Sequence, residues 1–473
     1  MNNTGDEYYD SDEFRELLAE YENAVSSGQP VFLDAEELTD IADYYQMTGY
    51  PDEANDAINL ALSLSPGAVA PLTYKIHEAL YNEDFSEAEQ LLGQIIDKNS
   101  PDYTYCRGEI LIAKGQIDEA DNYFREAFKN VPPDEYQDYV VDIATIFTDY
   151  NYSEKAMEWM ARGHHEDSSD FKELMARTLF GLGKYKDSQK IFNELIDRDP
   201  FSTRYWNALA SAQYMNEEYD ASVTSSEYAI AIDPNNPEGL LSKANGLFRL
   251  ENYEEAEKYF ERYNEQIPDD AYALLQQATC LINLERPSEA VELLNQAYDL
   301  LPADSPYLPD VLQELAFAYS DQGETDRAID CLNQTDNQDC DHTHIAVVKG
   351  HILLNAGRIE ESEEVFRQAI VQSENPQQTL LRVIVSLYDN RYLEAAYKLF
   401  LRFFSIAPKG WNEGYAYMAL CCYDMKKYDE FLNYLKQACR LNPKEARLVL
   451  HHLFPKDVKP EDYYTYIKNK LKK

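Results

Sequence analysis

The sequence predicts an all-α protein, a right-handed α-solenoid of about twelve helix pairs with helical caps at both ends. Three observations carry this: a phrase recurring about every 34 residues, three-and-four apolar spacing inside each copy, and proline closing many copies.

The phrase is an aromatic or apolar residue, two often acidic residues, a small residue and, one turn later, an apolar residue. Tyr253-Glu254-Glu255-Ala256-Glu257-Lys258-Tyr259-Phe260 is a clear copy. The small residue or its substitute stands at Ala54, Ala88, Ala120, Ala156, Ser188, Ser222, Ala256, Ala290, Ala328, Ser362, Ala396 and Phe431. Most steps are 34 residues, the shortest 32 and the longest 38.

Each copy reads as two amphipathic helices. Ala256, Tyr259, Phe260 and Tyr263 share one helix face, whereas Glu254, Glu255, Glu257, Lys258 and Glu261 lie largely off it. Pro66, Pro200, Pro234, Pro268, Pro302 and Pro443 punctuate the copies, because proline disfavours helix in the residue before it. Turns between paired helices carry Gly or Asn, as in Gly183-Lys184 and Glu251-Asn252. No stretch shows sustained two-residue alternation.

Leu38, Ile41, Ala42, Tyr45, Ala54, Ile58 and Pro66 stand at the spacings W-x2-L-G-x2-Y, A-x3-F and P. Trp206, Leu209, Ala210 and Pro234 match part of that pattern, as do Leu312, Leu315, Ala316, Tyr319 and Ala328. With about twelve copies in register over residues 35–443, the chain resembles the tetratricopeptide repeat (TPR) family, in particular the long TPR-array proteins of bacteria. Small residues at these places let paired helices approach closely while large ones fill the grooves beside them.

The departures predict local differences. The copy around Ala156 is shifted and carries Gly163 where a closing small residue is expected. The long step to Ala328 contains Pro302, Pro306 and Pro309, which predicts an extended connection. Phe431 replaces the small residue of the last copy and predicts altered packing there.

The expected organisation is a flexible acidic tail at 1–13, a capping helix and linker at 14–34, the array at 35–443 and C-terminal capping helices at 444–473. Phe14, Leu17, Leu18, Tyr21 and Val25 form the N-terminal stripe. Lys444 to Phe454 and Glu461 to Leu471 supply the C-terminal helices. The basic run from Lys468 to Lys473 reads as a complement to a helix macrodipole.

Against 86 Asp and Glu there are 42 Lys and Arg, a net charge of −44. Nucleic-acid affinity comes mainly from cations on phosphates, so such a surface argues against nucleic acid and against anionic membranes. It fits a soluble array more readily monomeric than self-associated. The start lacks a secretory pattern and no apolar run approaches the ~18 residues of a membrane span. Seven scattered cysteines fit a reducing cytoplasm.

No phosphate loop, dinucleotide fingerprint, zinc-protease helix or nucleophile elbow occurs, so no enzyme, cofactor or metal is expected. Cys331, Cys340, His342 and His344 are all zinc-competent types, but their spacing matches no structural zinc pattern. A buried cysteine beside a polar loop is the plainer reading, and Cys421-Cys422 read as small core residues. Many of the 38 tyrosines occupy packing places, including Tyr45, Tyr185, Tyr219, Tyr253 and Tyr428.

The resemblance implies a protein-binding concave wall built from the first helix of each pair. Trp206, Leu209, Ala210 and Gln213 share one face of such a helix; Arg204, Asn207, Ser211 and Tyr214 share the opposite one. The same register adds Arg177 before them and Asn245 and Arg249 after them. Arginine forks bind carboxylates and asparagine binds extended backbone, so the wall is expected to take an acidic or carboxylate-bearing peptide of a protein partner. The competing reading pairs these arginines with Asp170, Glu173 or Glu238. TPR carboxylate clamps place Lys and Asn in their first repeats, whereas Thr39, Asp43, Thr73 and His77 stand there here, arguing against a chaperone-tail receptor. The expected function is a peptide- or helix-binding scaffold or adaptor. The alternatives are a ligand-gated regulator and a self-assembling structural subunit.

Overall fold

The structure is a computed structural model that describes residues 8–9, 11–164, 167–455 and 458–470. Among the described residues every regular element is helical. The chain divides into two compact units, residues up to Pro234 and residues from Asn235.

In the first unit a lone helix, α1 (Asp12–Ser27), precedes six pairs of helices among the described residues. These are α2 (Ala35–Met47) with α3 (Pro51–Leu64), α4 (Val69–Tyr81) with α5 (Phe85–Gln94), and α6 (Pro101–Ala113) with α7 (Ile117–Phe128). There follow α8 (Tyr136–Asp149) with α9 (Ser153–Met160), α10 (Ser169–Gly181) with α11 (Tyr185–Arg198), and α12 (Thr203–Met215) with α13 (Tyr219–Ile232).

The second unit repeats the plan. Its pairs are α14 (Pro237–Arg249) with α15 (Tyr253–Gln266), α16 (Ala271–Asn283) with α17 (Pro287–Leu300), and α18 (Leu308–Asp321) with α19 (Thr325–Asn333). They continue as α20 (His342–Asn355) with α21 (Ile359–Gln372), α22 (Pro376–Asp389) with α23 (Leu393–Ile406), and α24 (Tyr415–Asp424) with α25 (Tyr428–Leu441). Two further helices, α26 (Pro443–Leu450) and α27 (Tyr463–Lys470), close it. We refer to the first and second helix of each pair as A and B.

All twelve phrase positions are 0–3% exposed, the tightest places in the pairs. At two of the three serine positions the facing A helix satisfies the buried hydroxyl: Ser188 donates to the Ala176 carbonyl at 2.8 Å and Ser362 to the Gly350 carbonyl at 2.7 Å. Five residues before each phrase position the A–B turn passes through the left-handed region. The residue is glycine at Gly49, Gly115, Gly183, Gly323 and Gly357. It is Glu83, Asn151, Glu217, Glu251, Glu285, Arg391 or Lys426, with φ of 56° to 65°, in the remaining pairs. At the Glu251-Asn252 turn it is therefore Glu251, not the asparagine, that adopts this conformation.

The departures have physical causes. Helix α9 stops after 8 residues, and Gln137 of α8 clamps the chain beyond it, accepting from the His164 N–H at 2.8 Å and donating to its carbonyl at 3.0 Å. A Cβ on Gly163 would come within 2.6 Å of that glutamine oxygen. Residues 301–307 form the longer connection before α18. Phe431 is buried, its ring 5.3 Å from Tyr423, in a cluster that the closing helices complete through the Phe454–Tyr463 stack at 3.8 Å.

At the N-terminus Phe14 and Tyr21 are buried against the first pair, Leu17 and Leu18 are partly covered, and Val25 remains 55% exposed. Of the acidic tail expected at 1–13, residues 1–7 and 10 lie outside the described residues. Tyr9 packs its ring 5.8 Å from Tyr44. Residues 471–473, the end of the basic run, are likewise outside. Within the second unit, His451 Nε2 stands 3.3 Å from the Glu251 carboxylate, linking the closing segment to the turn of that unit's first pair. No helix among the described residues is long and apolar enough to cross a membrane.

Candidate functional site

The expected wall residues fall in both units: Arg177, Arg204, Asn207, Ser211 and Tyr214 in the first, Asn245 and Arg249 in the second. Within the first unit, α10 is capped by Ser168, whose hydroxyl accepts from the Phe171 N–H at 3.3 Å, and carries Arg177 in its third turn. The Arg177 guanidinium donates to Asp149 at 2.5 Å, reaching back to the last residue of α8. On the same wall Arg204 pairs with Glu173 of α10. The wall is thus crossed by ion pairs that each join one A helix to the next.

The two pairs differ in what it takes to break them. Arg177 and Asp149 keep 42% and 50% of their side-chain surface, and a pair of that kind contributes only about 0–1 kcal/mol. Glu173 keeps 10%, and burial pushes its carboxyl up while Arg204 and Arg177 pull it down. Removing Arg204 from it strands a buried carboxylate, a loss on the order of several kcal/mol when burial is complete. Arg177 can exchange partners; Arg204 is committed.

Arg177 and Ser211 meet in one cleft of about 220 Å³. Thr148, Asn151 and Ser153 come from the preceding pair, Phe180, Gly181 and Phe192 from α10 and α11, and Ala208 from α12. Phe180, Phe192 and Ala208 give the cleft its apolar surface, and the buried Thr148 and Ser153, at 8% and 5% exposure, add hydroxyls to the lining.

The other expected residues serve different ends. Asn207 is 5% exposed, because buried residues of α12 (Tyr205, Asn207, Leu209, Ala210, Ala212) run round most of the helix. A two-face reading puts it on open wall; packing around the A helix leaves a narrower strip. Tyr214 sets its ring edge-on to Tyr219 at 5.4 Å, and Trp206 stacks on Tyr228 at 4.4 Å. Asn245 accepts from the Tyr272 hydroxyl at 3.0 Å, and Arg249 is exposed at the end of α14.

Aromatic pairs across the A–B turn recur at Tyr45–Tyr50, Phe180–Tyr185, Phe248–Tyr253 and Tyr423–Tyr428. The tyrosines expected in the core are accordingly half-buried lids on the turns, with Tyr428 still 54% exposed. Of the four early wall positions, His77 contacts Glu109 at 3.0 Å, and hydrogen bonds to Cys106 and Glu109 raise it to about 10. Asp43 is pushed up to about 6 by burial and by Asp40.

Cys331 is buried in the core, whereas Cys340 Sγ lies 3.7 Å from His342 Nδ1. Among the described residues no three His, Cys, Asp or Glu side chains gather where they could hold a metal ion. A larger recess of about 700 Å³, not anticipated from the pattern, lies between α6, α7 and α8; Asp102, Glu135, Asp138 and Asp142 line it, and Tyr105 donates to Asp142 at 2.7 Å.

Stacked helix pairs with one small residue at the A–B crossing of every pair but the last define a helical repeat protein of the solenoid class. Two family models, both described as tetratricopeptide repeat, match residues 75–135, 174–237 and 241–305, and residues 344–372 and 413–445. Together they cover more than half of the chain, which belongs to the tetratricopeptide repeat family and to its class of protein-interaction scaffolds.

Protein FlbA of Caulobacter vibrioides is 28% identical over 153 residues, 32% of this chain and 26% of its own, so the match spans about a quarter of that relative. Solved structures similar to the chain include MamA from Desulfovibrio magneticus RS-1, at 16% identity, 36% of this chain, 94% of that one and a TM-score of 0.34. YrrB, described as a TPR protein with an unusual peptide-binding site, is similar at 18% identity, 40% and 95% coverage and a TM-score of 0.34. The APC/C hetero-tetramer Cut9–Hcn1 is similar at 15% identity, 95% and 98% coverage and a TM-score of 0.34.

Proposed function

We propose that the chain is a non-catalytic cytoplasmic scaffold that binds an acidic segment of a partner protein on the A-helix wall of its first unit. The observation carrying this reading is Arg177: a half-exposed guanidinium at the rim of a cleft, ion-paired with the half-exposed, exchangeable carboxylate of Asp149. A partner carboxylate reproduces the fork geometry that Asp149 now satisfies. The net charge of −44 does not oppose this at contact, because at physiological salt its field is screened beyond about 8 Å. The same charge disfavours nucleic acid. Seven unpaired cysteines, six of them buried, accord with a reducing compartment.

The test is fluorescence anisotropy with two labelled decapeptide pools, one rich in Asp and Glu and one with Asn and Gln in their place. The acidic pool binds the intact chain and loses several-fold in affinity to Arg177→Gln, while the neutral pool stays weak. Equal binding of both pools, or none of either, overturns the reading.

A further inference from the structure

We propose that the cleft beside Arg177 is an anchor for one apolar side chain carried next to an acidic residue, with Asp149 as a built-in competitor for the guanidinium. The inference rests on the acidic-segment reading and specifies what its anchor must be.

The cleft arises where two adjacent positions lose their bulk. The A helices α2, α4, α12 and α14 end in Met47, Tyr81, Met215 and Arg249; α6 ends in Ala113 and α10 in Gly181, and of these two only α10 follows a B helix that starts with a residue as small as serine. The B helices α5, α7, α11, α13 and α15 start with Phe85, Ile117, Tyr185, Tyr219 and Tyr253; α9 starts with Ser153. Gly181 and Ser153 face each other so closely that a Cβ on the glycine would lie 2.0 Å from the serine Oγ. The apolar part of the lining is Phe180, Phe192 and Ala208.

At about 220 Å³ the cleft is smaller than the ~300–1,000 Å³ typical of cofactor and drug-sized sites, so it suits a single side chain. Its apolar lining selects an aliphatic or aromatic one. Arg177 at the rim then meets whatever stands beside that side chain in the ligand, and a guanidinium fork selects a carboxylate. Asp149 already fills that fork at 2.5 Å, so the incoming carboxylate must displace it. The displacement becomes effectively intramolecular once the apolar side chain is seated.

The experiment uses the full chain and the blocked dipeptide N-acetyl-Asp-Leu-amide, with N-acetyl-Asn-Leu-amide and N-acetyl-Asp-Ala-amide as comparators, read by ligand-observed saturation-transfer NMR. The Leu methyls of the first peptide take up the most saturation. Ser211→Met and, independently, Ala208→Leu fill the cleft and remove that signal; circular dichroism verifies the helical fold of each. Asp149→Asn strengthens binding by about threefold to fivefold, the worth of a half-exposed ion pair. Arg177→Gln abolishes the preference for Asp over Asn.

Unchanged binding in both cleft-filling variants, or weaker binding in Asp149→Asn, overturns the anchor. If acidic decapeptides still bind in an Arg177-dependent way in those variants, the anchor alone fails. If Arg177→Gln changes nothing for either probe, both readings fall.

Discussion

Trp159 donates its indole N–H to the Asp121 carboxylate at 3.0 Å, joining the B helices of consecutive pairs, α9 to α7, with Asp121 4% exposed. The other carboxylate oxygen accepts from Arg125 at 2.8 Å and Lys155 at 3.1 Å. Burial raises the Asp121 pKa, but the three donors outweigh it and the net shift is downward. Its contribution is therefore present above the ordinary carboxylate pKa and lost as pH falls through the depressed value. Asp121→Ala is expected to lower stability by about 2–4 kcal/mol, leaving the indole without its acceptor and Arg125 and Lys155 with only the exposed carboxylates of Glu158 and Asp118. Urea unfolding at neutral pH measures it, and a loss below about 0.5 kcal/mol would contradict the network.

The A–B turns predict a stabilising change. A side chain in the left-handed region costs about 1–2 kcal/mol that glycine avoids. Glu217 and Glu285 hold φ of 61° and 59° where Gly183 and Gly323 do the same work elsewhere. Glu217→Gly and Glu285→Gly should each shift the urea midpoint upward by an amount worth about 0.5–1 kcal/mol, since glycine's looser unfolded chain takes back part of the gain. Gly183→Glu should shift it the other way.

Glu314 on α18 is raised from 4.5 to about 7, first by burial and then by the charge of Asp310. The folded chain thus keeps a proton that the unfolded chain has released, so stability falls as pH rises between those values. Glu314→Gln, neutral throughout, should match the native chain at pH 4.5 and exceed it at pH 8 by on the order of 2 kcal/mol. Thermal denaturation at both pH values distinguishes this from a substitution that acts equally at each.

The contrast between the two wall arginines is also measurable. Arg177→Ala, from a half-exposed pair, should cost under about 1 kcal/mol. Arg204→Ala should cost more, about 1–3 kcal/mol, because Glu173 keeps only 10% of its surface and loses its partner. Adding Glu173→Gln to Arg204→Ala should recover part of that loss in a double-mutant cycle.

Much of the fold is legible in the sequence. The phrase from Tyr253 to Phe260 sets the B-helix face, and its alanine marks a crossing where the structure buries every equivalent residue. Register from Ala54 to Phe431 survives because each pair is stabilised by its own short-range packing and by its neighbours. Less of the site is legible. Arg177 and Ser211 are found by helical spacing, yet Asn207 shares that spacing and is buried, and Gly181 and Ser153 carry no signal until they meet. Their one visible mark is smallness at positions where other copies carry bulk.

By itself the sequence determines an all-helical array in about twelve pairs, because close helix crossings demand a small residue at one fixed place in a 34-residue period. Only the tertiary structure decides that Arg177 reaches back to Asp149 and Arg204 to Glu173, and that one cleft opens between three successive pairs. Those partners depend on how far each pair is rotated and displaced against the one before it. That offset is settled by side chains packed across the interface, and a periodic pattern read along one helix does not contain it.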